Sequence, residues 1–313
     1  MLSAKRFIRN NISGAPALTS MGLLSICGIA LAQMPDAMLP EKVTKVSEHC
    51  YAIVGFPNVG IVVGNTGTLV IDTGLGERNG ALVVREVKKL AKGPALYLTT
   101  THFHAEHVAG EQAFPAGTII VRNAAQQQEL DSQGDAALER FGALSPQYKE
   151  LLVGVKLRKP DRVYDTQTTL DLGGVSAKLF WLGAAHTLGD ELIWVAEDKT
   201  LFTGDIVFDK RVISMPNTDG TLKRWLDILD KLEPLNPSYI VPNHAGLGDG
   251  SLIPKQREFI LDMQRRARAL KKEGIPVEEA AQTLTLQFKT RHPDWDSVNG
   301  IGNIVRRVYA EYY

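Results

Sequence analysis

Three histidines and a glutamate fall within six consecutive positions, His102 to His107, in the stretch TTTHFHAEHVAG. No other feature restricts the fold as much. On a regular helix, His102 and His104 would point about 200° apart, so they can converge on one ion only where the backbone is extended or looped. The segment follows an apolar strand pattern, ALYLTTT, so the cluster belongs on a loop at a strand's carboxyl end. Glu106 and His107 then face another way, which suits a second ion. Imidazole and carboxylate donors without thiolate favour zinc, with iron, manganese or cobalt compatible.

The rest of the chain supplies a frame for such a loop. KVSEHCYAIVG, VGIVVGN and GTLVIDTG read as successive strands, with turns at Pro57-Asn58 and Asn65-Thr66-Gly67. A charged helical pattern covers 78–91, and helical patterns resume after Arg122. Residues 134–160 read as a polar, weakly patterned insert with Pro146 and Pro160. Strands begin again with TTLDLGG, VSAKLFWLG, DELIWVAED and KTLFTGD, followed by a helix over 219–232 and a strand, SYIVPNH. Residues 251–313 give two or three amphipathic helices, broken at Gly274-Ile275-Pro276 and His292-Pro293. Two strand-rich halves, each with helices, predict an α/β fold with a sheet-on-sheet core and helices outside.

Lys5, Arg6 and Arg9 precede an uncharged stretch that contains LLSICGIALA and closes on Ala30-Leu31-Ala32, the pattern of a secretory signal peptide over 1–32. Cleavage there would turn the formal charge of zero to about −3 and leave Cys50 as the single cysteine, with no internal disulfide possible. The charge balance excludes a basic nucleic-acid footprint. The expected protein is exported, into a bacterial periplasm, with no membrane attachment after cleavage and a small-molecule substrate.

Three more residues repeat the theme of the cluster. His186 in GAAHTLGD, Asp205 in FTGDIVF and His244 in PNHAG each sit in a small-residue loop after an apolar strand. Together with His102-Phe-His104-Ala-Glu106-His107, this resembles the metallo-β-lactamase-fold superfamily of metallohydrolases, with HxHxEH in place of HxHxDH. The likeness runs from about Val43 to Gly246, and the layout is most similar to exported zinc metallohydrolases associated with sulfur-oxidation and quinoprotein systems. It implies a four-layer αββα sandwich over 33–250, with 251–313 as a helical extension packed on the same domain. His102, His104 and His186 resemble the ligands of a first metal, His107 and His244 those of a second, and Asp205 a bridge; Glu106, a methylene longer than the family's aspartate, can reach the second ion by bending, bind it in another geometry, or leave it. Asp72, at the end of VIDTG, resembles a support for the ligands.

The implied chemistry is hydrolysis by hydroxide made at neutral pH on two zinc ions, with Glu106 and Asp205 catalytic, on an ester, lactone, amide or related substrate. Two alternatives stay open. A β-lactamase is one, although Phe208 stands where a lysine three residues after the bridging ligand would hold a substrate carboxylate. A mononuclear iron sulfur-dioxygenase-like oxidoreductase is the other, because glutamate at 106 bears on the second ion. Outside the cluster, His49 and Cys50 fit a half-buried strand, His292 an exposed cap before Pro293, and RRARALKKEG a solvated helix face. The tip Phe56-Pro57-Asn58 is generic as a hairpin, although in the resembled superfamily such a tip can hang over the metals.

Overall fold

β1 (Val43–Lys45), β2 (Cys50–Ile53), β3 (Val59–Val63) and β4 (Gly67–Ile71) form an antiparallel meander. The computed structural model describes residues 35–215 and 220–311, so the signal pattern at 1–32 lies outside the described residues. α1 (Gly76–Leu90) crosses over to β5 (Ala95–Thr99), parallel to β4. After α2 (Ala105–Val108), β6 (Ile119–Asn123) adds parallel to β5. α3 (Ala124–Gly142) and α4 (Pro146–Leu151) lead to β7 (Arg162–Tyr164), the last of seven strands in the order β1 to β7.

The second sheet has the order β12-β11-β10-β9-β8. β8 (Gln167–Asp171), β9 (Ser176–Trp181), β10 (Glu191–Val195) and β11 (Thr200–Gly204) pair antiparallel. α5 (Leu222–Leu232) then crosses over to β12 (Tyr239–Pro242), parallel to β11. α6 (Leu252–Lys272), α7 (Val277–Arg291) and α8 (Ile301–Glu311) complete the chain.

Three apolar layers separate these elements. Between the sheets, Val62, Leu69 and Ile71 meet Leu179, Ile193 and Phe202. On the outer face of the first sheet, Ile61, Val70 and Leu98 pack under Leu82, Val83 and Val87 of α1. On the outer face of the second, Leu192, Leu201 and Ile240 lie beneath Trp225 and Leu229 of α5, a layer that continues to Ile260 of α6 and Ile304 of α8. This is the expected four-layer αββα sandwich with additional C-terminal helices. Both faces of the central strands are covered, so β3, β4 and β11 are buried throughout instead of alternating.

The crossovers have a functional consequence. β4 and β5 are parallel, as are β11 and β12, so the carboxyl ends of each pair open at the same edge.

Some boundaries differ from the sequence reading. The helix expected over 78–91 starts at Gly76. The one expected over 219–232 starts at Leu222, where the Thr221 hydroxyl accepts the Arg224 amide at 3.0 Å and fixes the cap. β6 and β7 were not foreseen, since a five-residue segment such as Ile119–Asn123, with three apolar residues, is too short for periodicity to separate strand from helix. The insert at 134–160 is partly regular: α3 continues to Gly142, and Ser145 caps α4 with Pro146 in its first turn. His292 is the C-cap of α7, as its place before Pro293 predicts, but it is half-buried and not exposed. Its ring lies 4.5 Å from Phe288 and 5.5 Å from Trp295, joining an aromatic group on the C-terminal helices.

Candidate metal centre

Asp72 ends β4, the loop 100–107 follows β5, Asp205 follows β11, and His244 follows β12, so four strand ends deliver side chains to one edge. His186 arrives on the longer loop after β9. That loop is held by carboxylates: Asp190 accepts the amides of Ala185 and Thr187 at 2.9–3.0 Å, and Glu129 of α3 accepts those of Leu188 and Gly189. Gly189 is required by closeness, since a Cβ there would lie 2.3 Å from the Gln126 backbone.

All seven residues singled out in the sequence come together. His104 Nδ1 lies 3.1 Å from His102 Nε2 and 3.2 Å from His186 Nε2, and Asp205 Oδ2 is 3.4 Å from His186 Nε2. A tetrahedral ion with bonds of about 2.0–2.1 Å sets its ligands roughly 3.3–3.4 Å apart. On the other side, Glu106 Oε1 lies 3.6 Å from His107 Nε2 and 3.8 Å from His244 Nε2, and Asp205 Oδ1 is 3.6 Å from His244 Nε2. Donor atoms of three trios fall within 4.8 Å of one another: His102-His104-His186, His102-His107-Asp205 and Glu106-His107-His244. Asp205 thus presents one oxygen to each side, and the longer glutamate side chain still reaches the second.

Hydrogen bonding shows what these donors fit. The Ser214 carbonyl, 2.8 Å from His186 Nδ1, can only accept, so Nδ1 carries the proton and Nε2 offers a lone pair. The Thr101 hydroxyl, 3.2 Å from His102 Nδ1 and turned to Asp72 at 3.0 Å, leaves His102 Nε2 free in the same way. Lone pairs 3.1–3.2 Å apart repel unless a cation lies among them. Glu106 Oε2, His107 Nε2 and Asp205 Oδ1 are buried with no hydrogen-bond partner, a costly arrangement for polar atoms that no ion satisfies. The donor set fits a pair of divalent cations.

Charge is divided unevenly. Burial and the neighbouring imidazoles hold His102 and His104 well below the ordinary histidine range. Burial, then the positive charge of Arg211, does the same to His244. Burial also opposes charge on His107, but the Asp72 and Glu106 carboxylates overcome it and raise that imidazole to about 10. Burial pushes Asp205 up. Asp72 is fully buried at a left-handed φ of 69°, and it accepts from the Thr101 amide at 2.7 Å and from Asn243, with His107 Nδ1 at 3.1 Å. It therefore joins the ends of β4, β5 and β12 behind the donors.

Two contributors were not named from the sequence. Arg211, half-buried, acts on both His244 and Asp205, and its guanidinium lies 5.9 Å over the Phe208 ring with no ion pair or hydrogen bond among the described residues. It stands six positions after Asp205, where inspection at an offset of three meets Phe208. Tyr148 of α4 stacks on Phe56, and the Phe56 ring is 4.7 Å from that of His244, so the hairpin tip reaches the second side of the centre. His49 and Cys50 take no part. His49 Nδ1 binds Asp198 at 2.7 Å, and burial drives the Cys50 thiol to about 12.

A profile described as the Metallo-beta-lactamase superfamily matches residues 52–244. The "Metallo-beta-lactamase type 2" of Bacteroides fragilis is 22% identical over 232 residues, covering 70% of this chain and 85% of that protein. The "Acyl-coenzyme A thioesterase MBLAC2" of Homo sapiens is 25% identical, covering 64% and 78%. Among solved structures, the sec-alkylsulfatase Pisa1 from Pseudomonas sp. superposes with a TM-score of 0.66 at 15% identity, over 86% of this chain and 50% of that one.

Proposed function

Since the chain belongs to the metallo-beta-lactamase superfamily, a family of hydrolases, we propose that it is an exported hydrolase working with two zinc ions on an ester, lactone, amide or related bond. His102, His104 and His186 would hold the first ion and Glu106, His107 and His244 the second, with Asp205 shared. The observation that carries this reading is the division of Asp205, one oxygen 3.4 Å from His186 and the other 3.6 Å from His244. Zinc in such a site lowers the pKa of water to about 7 and polarises a carbonyl or sulfuryl oxygen.

The chain's own residues supply the rest. Asp72 and the Ser214 carbonyl set which ring nitrogens of His107 and His186 face the centre. Glu106 keeps Oε2 free of hydrogen bonds, so that oxygen is available to take a proton from the attacking water and return it to the leaving group. Export rests on the charged and apolar pattern at 1–32.

Metal analysis of the purified protein, followed by a panel of esters, thioesters, lactones and sulfate esters, tests the proposal. Roughly two zinc ions per chain, with turnover lost on chelation and restored by zinc, is the expected result. One iron per chain with oxygen uptake would replace it with oxidoreductase chemistry. A β-lactam is favoured by one observation, Arg211, which brings a cation beside Asp205 and His244 although Phe208 stands at the usual offset. Turnover of a chromogenic cephalosporin whose KM rises in Arg211→Gln would support that second reading; no turnover in the native protein removes it.

A further inference from the structure

Six of the seven candidate ligands are buried, and only His104 is half-exposed, so the centre is reached from its side. A groove of about 480 Å³ opens there, a volume within the range of small-molecule sites, roughly 300–1,000 Å³. Phe103 and Ala105, which flank His104, form one wall, and Ala137 and Phe141 of α3 form the other. Leu144, just beyond α3, leans over it and is 52% exposed, high for a large apolar side chain with nothing on it.

Arg140 also lines this groove. Apart from His104, it is the one ionisable side chain to do so among the described residues, and it has neither an ion pair nor a hydrogen bond there. The acids that neighbour it on α3, Asp135 and Glu139, line other cavities. The Arg140 charge reaches the centre, where it adds to the forces that keep His104 neutral.

We propose that this groove takes the apolar tail of an amphiphilic anion and that Arg140 pairs with its anionic group, so that the substrate is an acyl or alkyl compound carrying a carboxylate, sulfate or phosphate. Calling the occupant a substrate rests on the hydrolase reading; the binding of such an anion does not. An unpaired guanidinium beside an apolar wall gives an anion both a charge-assisted hydrogen bond and a surface for its chain.

The probe is 1-octanesulfonate, whose carbon–sulfur bond is not hydrolysed, compared with 1-octanol by calorimetry on the full-length zinc-loaded protein and again after chelation. The sulfonate should bind about tenfold tighter than the alcohol, with or without metal. Arg140→Gln should bring the two within about twofold by weakening the sulfonate alone, and Leu144→Ser should weaken both. Both positions are exposed, so neither variant threatens folding. Equal affinities in the native protein, a preference that survives Arg140→Gln, or one that vanishes on chelation would overturn the proposal, the last because the anion then sits on the metal. An intact sulfonate preference in a protein without metal-dependent turnover would support the groove and count only against the hydrolase reading.

Discussion

The two sides of the metal centre use different materials. His102, His104 and His186 meet through three ring nitrogens with no carboxylate of their own, whereas Glu106, His107 and His244 include one carboxylate and have a second, Asp72, directly behind. The result is that burial and mutual repulsion keep His102 and His104 neutral and ready to donate, while Asp72 and Glu106 raise His107 to about 10, so that a cation on the second side has to displace a proton from its Nε2. The imidazole side is prepared by geometry and the carboxylate side by charge. Asp205 is the one residue that belongs to both.

The change that should break the contrast altogether is therefore Asp205→Ala. On the two-ion reading, removing both oxygens takes the shared anion from both cations at once, so metal content should fall at both sites, with turnover reduced by about a thousandfold or more. Mass-spectrometric metal analysis and steady-state kinetics read both quantities, and loss of only one ion would show that Asp205 does not bridge.

Next come two substitutions that should separate the sides. His104→Ala removes a donor only from the first and Glu106→Ala only from the second, so each should leave about one ion per chain. Glu106→Asp should preserve or raise occupancy of the second site. A sharp loss in that variant would mean that the 3.6–3.8 Å approach of Glu106 to His107 and His244 depends on the longer side chain.

These residues were readable because strand-end histidines and acids in small-residue loops carry a local signal. The sandwich was readable for a similar reason, since strand runs in both halves are bounded by turn residues. Arg211 and Arg140 carried no such signal: one lies six positions past Asp205 and the other on α3, within an insert that reads as polar and weakly patterned. Their relevance comes from tertiary placement, beside His244 and Asp205 in one case and His104 in the other. β6 was missed because a five-residue strand gains its stability from pairing with β5 and β7, which no local pattern reports.

A smaller effect should follow from Asp72→Asn, which keeps the shape but removes the charge behind His107 and turns one of its two accepting oxygens into a donor. Outer partners of ligating histidines typically contribute 10–100-fold in metal affinity. The loss should fall on the second ion, seen as biphasic release to a chelator with only the faster phase accelerated. Equal acceleration of both phases would mean that Asp72 supports the whole edge through Thr101 and Asn243.

The last effect is on stability and concerns a buried carboxyl that lies away from the donor cluster. Glu191 is fully buried and faces hydroxyls in place of a cation: Thr99 and Tyr164 are its partners, and burial raises its carboxyl to about 8. Neutral Glu191 accounts for every proton, because its own hydrogen can go to Thr99, whose hydroxyl is 2.8 Å from the Val121 carbonyl. A carboxyl raised in the folded state contributes stability that is complete below its unfolded pKa near 4.5 and is lost as pH rises through about 8. Glu191→Gln mimics the neutral form and loses nothing over that window. The variant and native chains should melt nearly alike near pH 5, and toward pH 8 the variant should gain on the native chain by up to about 1.4 kcal/mol per pH unit, read as a Tm difference that widens steadily. An equal difference at both pH values would mean that Glu191 is ionised throughout and that its hydroxyl partners outweigh its burial.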